Sequence, residues 1–332
     1  MLQTFSSTDA VELATLERGG FIESRHSGSA VVLGPDGSVR ASHGSPDAAV
    51  LPRSSLKPLQ AVGILTAGAP LQGEQLGLST ASHSGTDRHI EVVRDILGAA
   101  GLTEDALACP ATLAGDPATR ERMVRDLEAK AAVRHNCSGK HAGMLAACVA
   151  SGWATDGYLD VDHPLQVHLR DVVERLTGEK VRASVTDGCG APVHAMSLTA
   201  LARGVQRVGT AAERSPFALH RHAAAVREAV RSHPWTIAGP GWPDTVVGER
   251  LGLFSKLGAE GVQVMVASDG TTVALKVLDG SQRAATAVAL RLLRIAGALP
   301  EEAESDALAH LDLAVYGGGA VVGAIRPSPA LG

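Results

Sequence analysis

Ser54 and Lys57 stand three residues apart at the predicted start of a helix, a spacing that puts a hydroxyl and an amine on one face. A neutral amine there could take the serine proton and create an acylating nucleophile. Alone, the pair reads more simply as an N-cap serine beside a solvated lysine. What raises its interest is scarcity. Of 30 basic residues only six are lysines: Lys57, Lys130, Lys140, Lys180, Lys256 and Lys276. Arginine effectively never gives up its proton, whereas a buried lysine can become a neutral amine. Three of the six, Lys57, Lys140 and Lys256, lie in unusual motifs.

Ser-x-x-Lys serves acyl transfer in class A β-lactamases and penicillin-binding proteins. Ser82-His83-Ser84-Gly85 offers a second serine in a tight loop, able to relay a proton or bind substrate, or simply a polar turn. Lys256, in Phe254-Ser255-Lys256-Leu257-Gly258, enters a predicted strand where penicillin-recognising enzymes carry Lys-Thr-Gly; here the match is positional, and a solvated edge lysine competes with it. The sharpest constellation joins Asn136-Cys137-Ser138-Gly139-Lys140-His141-Ala142-Gly143 to Asp187-Gly188-Cys189-Gly190-Ala191-Pro192. Two loop cysteines near a histidine and a lysine suggest a metal site or a thiol centre. Thiolates favour zinc, but the C-x-x-C spacing of structural zinc sites is missing, and Cys-His nucleophilic catalysis competes. The other two cysteines, Cys109 before a proline and Cys148 on an apolar helix, read as structural. No phosphate loop, dinucleotide fingerprint or H-E-x-x-H is present.

The elements that must position these residues follow from pattern. Residues 21–33 read as a strand, followed by a Gly34-Pro35-Asp36-Gly37 turn and a second short strand. Pro52-Arg53-Ser54 opens a helix to about Ala67, with Ser54 and Ser55 as caps. Asp87 caps a helix to about Ala100. Further helices are predicted at about 118–131, 140–150, 164–176, 196–208 and 218–232. Residues 262–267 and 272–278 form a hairpin across Ser268-Asp269-Gly270, residues 282–295 an amphipathic helix and residues 314–325 a strand. The last hairpin and helix could join the first strands in one antiparallel sheet. The 332 residues then form a single domain, with a sheet subdomain of about 1–80 and 236–332 and a helical subdomain of about 81–235. Hydrophobic content of 45% with 3% aromatics implies an aliphatic core, and a net charge of −5 without basic runs argues against nucleic-acid binding. The N-terminal residues lack the pattern of a secretory signal, and the longest apolar stretch, Ala142 to Trp153, is too short for a bilayer. A cytoplasmic protein with no membrane partner is expected.

Taken together, Arg53-Ser54-Ser55-Leu56-Lys57-Pro58-Leu59-Gln60-Ala61, Ala81-Ser82-His83-Ser84-Gly85, Asn136 to Gly143 and Asp187 to Pro192, with Glu23-Ser24-Arg25-His26 near the start, resemble the Rhizobium-type (class 3) L-asparaginase II family in the same order over nearly the whole chain. The resemblance implies an α+β fold of the α/β/α sandwich type, like serine β-lactamases and penicillin-binding proteins: an antiparallel sheet flanked by helices with a helical insertion. It implies hydrolysis of L-asparagine to L-aspartate and ammonia by a homodimer. It implies Ser54 as nucleophile and Lys57 as its activating amine, Ser84 (preferred to Ser82) with Lys256 as a second Ser–Lys pair, and Cys137, Lys140 and Cys189 as ligands of Zn2+. Arg53, Asn136, His141 and Asp187 fall where the family contacts substrate or holds that site. One segment departs: Gly239-Pro240-Gly241-Trp242-Pro243-Asp244-Thr245 lacks the arginine of the family's Gly-Thr-Gly-Arg-like stretch. Rival readings are another amidohydrolase or penicillin-recognising acyl hydrolase on this scaffold, and an inactive protein that binds zinc or an amino acid.

Overall fold

The computed structural model describes residues 2–332. Eight antiparallel strands form the main sheet: β1 (Val11–Arg18), β2 (Phe21–Leu33), β3 (Val39–His43) and, from the second half of the chain, β7 (Phe254–Gly258), β8 (Val262–Val266), β9 (Thr272–Val277), β10 (Ala314–Gly317) and β11 (Ala320–Pro327). Their order is β10-β11-β1-β2-β9-β8-β7, with β3 beside the far half of β2. First and last strands therefore meet in one sheet, as expected. β2 pairs first with β1, then along Gly28 to Leu33 with β9. Gly28 sits at this hand-over, where a Cβ would lie 2.2 Å from the Lys276 carbonyl oxygen. A smaller sheet orders β4 (Ala49–Val50), β6 (Pro192–Ser197) and β5 (Ala183–Thr186).

Strand alternation divides the core between the two faces of the main sheet. Val31, Leu33, Val264 and Ala274 point into the larger core, and Ala30, Val32, Met265 and Leu275 into the smaller one. The large core holds α1 (Lys57–Thr66), α2 (Gly73–Ser79), α3 (Asp87–Ala99), α5 (Ser138–Ser151), α6 (Pro164–Thr177), α7 (Leu198–Gly209) and α8 (Ala218–Ser232), with α4 (Pro117–Arg125) at its margin. On the opposite face lie α9 (Pro243–Leu251), α10 (Ala285–Ile295) and α11 (Glu301–Leu308). Leu198, Leu201, Val205 and Val208 give α7 an i, i+3, i+7 stripe against the sheet, and Ala285, Val288, Ala289, Leu292 and Leu293 do the same for α10. Helix α1 is buried from Lys57 to Leu65, with α5, α6, α7 and α8 packed around it. The first turn of α1, which carries Lys57 and Gln60, is thereby fixed from every side.

Several local expectations are corrected. Ser54 and Ser55 cap nothing: Arg53–Leu56 is a 3-10 turn, and the buried Ser55 hydroxyl donates back to the Pro52 carbonyl at 2.7 Å. Thr86, not Asp87, caps α3 by accepting the His89 N–H. The helix expected to reach residue 131 stops at Arg125, because Leu127 takes a positive φ and Ala131 pairs with Thr112. Residues 192–197 are buried on both faces and form β6, so α7 starts only at Leu198, capped by Ser197. The C-terminal strand is a hairpin that turns at Gly318 and Gly319, both at positive φ. β1, α2, α9 and α11 are additions to the elements predicted from the sequence.

Candidate active site

The turn Arg53–Leu56 packs on β7 and β8 and delivers Ser54 at the mouth of the site. Arg53 has a φ of 52°, a left-handed conformation that costs a non-glycine residue of order 1–3 kcal/mol. Two contacts hold it there. Its Nε donates to Asp187 Oδ1 at 2.6 Å, and Pro52 lies tight against Gly258 of β7, where a Cβ would meet the Pro52 carbonyl oxygen at 2.5 Å and the Ser55 nitrogen at 3.2 Å. A side chain at 258 must therefore push the serine turn outward. Gly258→Ala is expected to lower turnover by about 100-fold through misplacement of Ser54, read as kcat in an ammonia-release assay alongside an unchanged circular dichroism spectrum.

Lys57 follows at the first position of α1, and its side chain is 1% exposed. Its amine donates to the Ala81 carbonyl and to Ser82 Oγ, the latter at 3.1 Å. Ser54 and Ser82 are both half-buried; only the Ser82 hydroxyl is hydrogen-bonded to the Lys57 amine, and Ser54 lies one turn before it in the chain. The loop carrying Ser82 is clamped along its backbone: Ser82 N–H donates to Ile237 O, His83 N–H to Asn136 O and Ser84 N–H to Ala238 O, at 2.7 to 3.1 Å. This differs from the expected Ser84–Lys256 pair. Ser84 Oγ is buried without a hydrogen-bond partner and faces Gly239, whose Cβ would come within 2.4 Å of it. Gly239 has a φ of 118° and donates its N–H to Thr245 Oγ1.

His83 is structural. Its Nδ1 accepts the Gly85 N–H, so Nε2 carries the proton and donates to Ser138 Oγ at 2.9 Å; that hydroxyl donates in turn to Val133 O. Burial, followed by the neighbouring His89 and Lys57, keeps the ring well below the usual imidazole range.

Lys256 is fully buried on β7. Its amine donates to Leu257 O at 2.8 Å and to Asp244 Oδ2 at 3.4 Å. Burial brings its pKa down to about 8, against the opposing pull of the Asp244 carboxylate and with the Lys57 charge adding to the depression. Asp244 also accepts from Leu257 N–H at 2.7 Å, Ser255 Oγ at 2.7 Å and Gln263 Nε2 at 3.3 Å.

The cysteine–lysine constellation is brought together across two loops. Lys140 Nζ lies 3.2 Å from Cys189 Sγ, and all four cysteines are free thiols. The hydrogen bond between Cys137 and Cys189, opposed by burial and aided by Lys57 and Lys140, holds the Cys137 thiol well below the ordinary thiol range. Burial depresses the Lys140 amine, but Cys189 and Cys137 outweigh it and raise the group overall. Asn136 is exposed, and its side-chain oxygen lies 3.2 Å from Cys137 Sγ. Burial raises the Asp187 carboxyl, but hydrogen bonds from Arg53 and the Gly188 N–H bring it below the usual carboxylate range. His141 is buried; Nδ1 meets the Tyr158 hydroxyl at 2.7 Å, while Nε2 has no hydrogen-bond partner. Burial lowers its pKa to about 4, with the Cys189 sulfur opposing, so the ring is neutral at pH 7.

Among the described residues, no group of three His, Cys, Asp or Glu side chains is spaced for a metal. The fit to zinc rests instead on two buried sulfurs and a buried amine. Soft thiolates suit zinc, and the amine can join them only by losing its proton to the metal's charge. The donor set fits the ion. Cys189→Ser replaces a soft donor and is expected to weaken zinc binding by about 100-fold or more, measured by competition with a chromophoric chelator.

A family model for L-asparaginase II matches residues 14–327. The chain belongs to the L-asparaginase II family. A search of curated proteins finds no significant match. Among solved structures it is similar to Mglu in its native form, at 12% identity and a TM-score of 0.46 over 80% of this chain and 63% of that one. It is also similar to a Bacillus glutaminase crystallised in the presence of 4.3 M NaCl, at 10% identity and a TM-score of 0.45 over 82% of this chain and 91% of that one. The asparaginase II chain thus spans less than two thirds of the length of Mglu. Among its described residues no helix is long and apolar enough to cross a membrane.

Among the residues of this candidate site, Tyr158 was not singled out by sequence pattern, and Asp244 entered only as part of the divergent Gly239 to Thr245 segment. Asp244 holds Lys256 from twelve residues upstream, across the whole of α9. Tyr158 reaches His141 from a surface turn and accepts the Ala108 N–H. Neither spacing has a helical or strand period, and only the fold brings the partners together.

Proposed function

We propose that the protein hydrolyses L-asparagine to L-aspartate and ammonia through an acyl-enzyme on Ser54. The observation that carries this reading is the buried Lys57 amine, hydrogen-bonded to a carbonyl and to the Ser82 hydroxyl, one turn from Ser54 in an asparaginase II chain. Ser54 Oγ attacks the side-chain amide carbon, and Lys57 takes its proton. Ser82, already on the Lys57 amine, relays protons between Lys57 and the substrate. Backbone N–H groups of the serine turn and of β7 stabilise the oxyanion. Ammonia departs protonated through the Lys57 and Lys256 amines, and water then hydrolyses the ester. Ser84 is the alternative partner for Lys256 once substrate displaces the bonds seen here.

Arg53, Asp187, Asn136 and His141 would meet the α-amino and α-carboxylate groups of the substrate. Cys137, Lys140 and Cys189 would hold zinc, which when bound supplies a positive charge at that end of the cleft. A homodimer and a cytoplasmic location belong to the same proposal. The test is ammonia release from L-asparagine and from L-glutamine, with and without added zinc. Turnover of asparagine above glutamine is expected; no ammonia from asparagine under either condition overturns the reading.

A further inference from the structure

A buried polar network runs through the main sheet and ends on the Lys256 amine. On the far face, Thr286 of α10 donates its hydroxyl to Gln263 Oε1 at 3.0 Å. That bond decides which way the Gln263 amide points: Nε2 must face the other side, where it reaches Ser255 Oγ at 3.0 Å, Val264 O at 3.2 Å and Asp244 Oδ1 at 3.3 Å. Ser255 donates to the same Asp244 oxygen at 2.7 Å, and Leu257 N–H donates to the other. All of these side chains are less than 5% exposed. Asp244 therefore has donors on both oxygens before Lys256 is counted, and the carboxylate cannot swing. The 3.4 Å approach of Lys256 is set by the network, not by the pair itself.

We propose that Asp244, fixed by Ser255, Gln263 and Thr286, is the positioning residue that holds Lys256 as the proton donor to the departing ammonia. This rests on the acyl-enzyme reading given above. In the step, Lys256 gives one proton to the amide nitrogen of the tetrahedral intermediate. The C–N bond breaks with its electron pair on ammonia, and the oxyanion pair restores the carbonyl of the Ser54 ester. The proton that Lys57 took from Ser54 makes up the one that Lys256 lost. The charged groups acting on Lys256 are Asp244 and Cys137, which favour its protonated form, and Lys57, which opposes it. A buried ammonium whose pKa lies near 8 is poised to donate at neutral pH.

A change of leaving group tests the assignment. Amide nitrogen must be protonated to leave, whereas the nitrophenolate of aspartate β-(4-nitrophenyl) ester leaves as an anion. Asp244→Asn is expected to lower kcat for L-asparagine by about 100-fold, the low end of general acid catalysis, with KM nearly unchanged, and to spare hydrolysis of the ester. Thr286→Val, which removes only the hydroxyl that orients Gln263, should reproduce the effect at about one tenth of that size and keeps the test open if Asp244→Asn does not fold. Equal losses on both substrates, or no loss on the amide in either variant, overturn the proposal. Ser54→Ala is run beside them: if it keeps ammonia release, the acyl-enzyme reading fails first and separately.

Discussion

Ser54→Ala is expected to lose at least about 10⁴-fold in kcat for ammonia release, in line with the removal of a catalytic serine from other acyl enzymes, while folding as the wild type does. The structure explains why the two effects separate. Ser54 is half-buried, its hydroxyl makes no hydrogen bond among the described residues, and the turn is held by Pro52, Arg53 and Ser55 instead. The neighbouring serine is the control. Ser55 is fully buried and donates to Pro52, so Ser55→Ala should cost stability of about 1 kcal/mol with far less effect on turnover. Matched measurements of kcat and thermal unfolding for both variants separate nucleophile from scaffold. A Ser55 variant as inactive as the Ser54 one would point to the turn itself.

Lys57→Arg should be nearly as damaging, about 10³-fold in kcat, because it keeps charge and abolishes proton exchange. It also tests geometry. The Lys57 amine fits between Ala81 O and Ser82 Oγ, and the wider planar guanidinium has no room in a helix turn buried on every side. The variant is therefore expected to lose stability as well, read as a lower thermal midpoint. Lys57→Met, which fits the volume without the charge, should fold better than the arginine variant and be equally inactive. If arginine retained activity within tenfold of the wild type, Lys57 would be an electrostatic partner and not a base.

The groups of the candidate site were legible where they depended on residue type and scarcity. Of the six lysines, the three singled out by their motifs, Lys57, Lys140 and Lys256, are all buried, and so is Lys276, which no motif marks. Cys137 and Cys189, fifty-two residues apart in sequence, were paired by their glycine-rich setting and do meet. Partner choice was not legible. Ser82 and Ser84 differ by two residues in an extended loop, and only the carbonyls of Ile237 and Ala238 decide that Ser82 lies on Lys57 while Ser84 packs against Gly239. The role of Asp244 was hidden for the same reason. The fold was legible where a single period ran through an element, as in α8, and where a turn signal joins two β-rich runs, as in the β8–β9 hairpin. It was lost where a strand buried on both faces has no such turn beside it, as in β6, or where an element is a short glycine-rich helix, as in α2.

The departure at Gly239 to Thr245 acquires a structural meaning. The segment lacks an arginine, yet its Asp244 reaches Lys256 and its Thr245 accepts the Gly239 N–H. What it supplies to the site is orientation of the second lysine, and that function survives the substitution.

The most direct test of the acyl-enzyme is peptide mapping by mass spectrometry of protein quenched in acid during turnover of L-asparagine. An aspartyl ester on the peptide that carries Ser54, absent from the Ser54→Ala protein, is the predicted result. An adduct on Cys137 or on Ser82, with Ser54 unmodified, would contradict it.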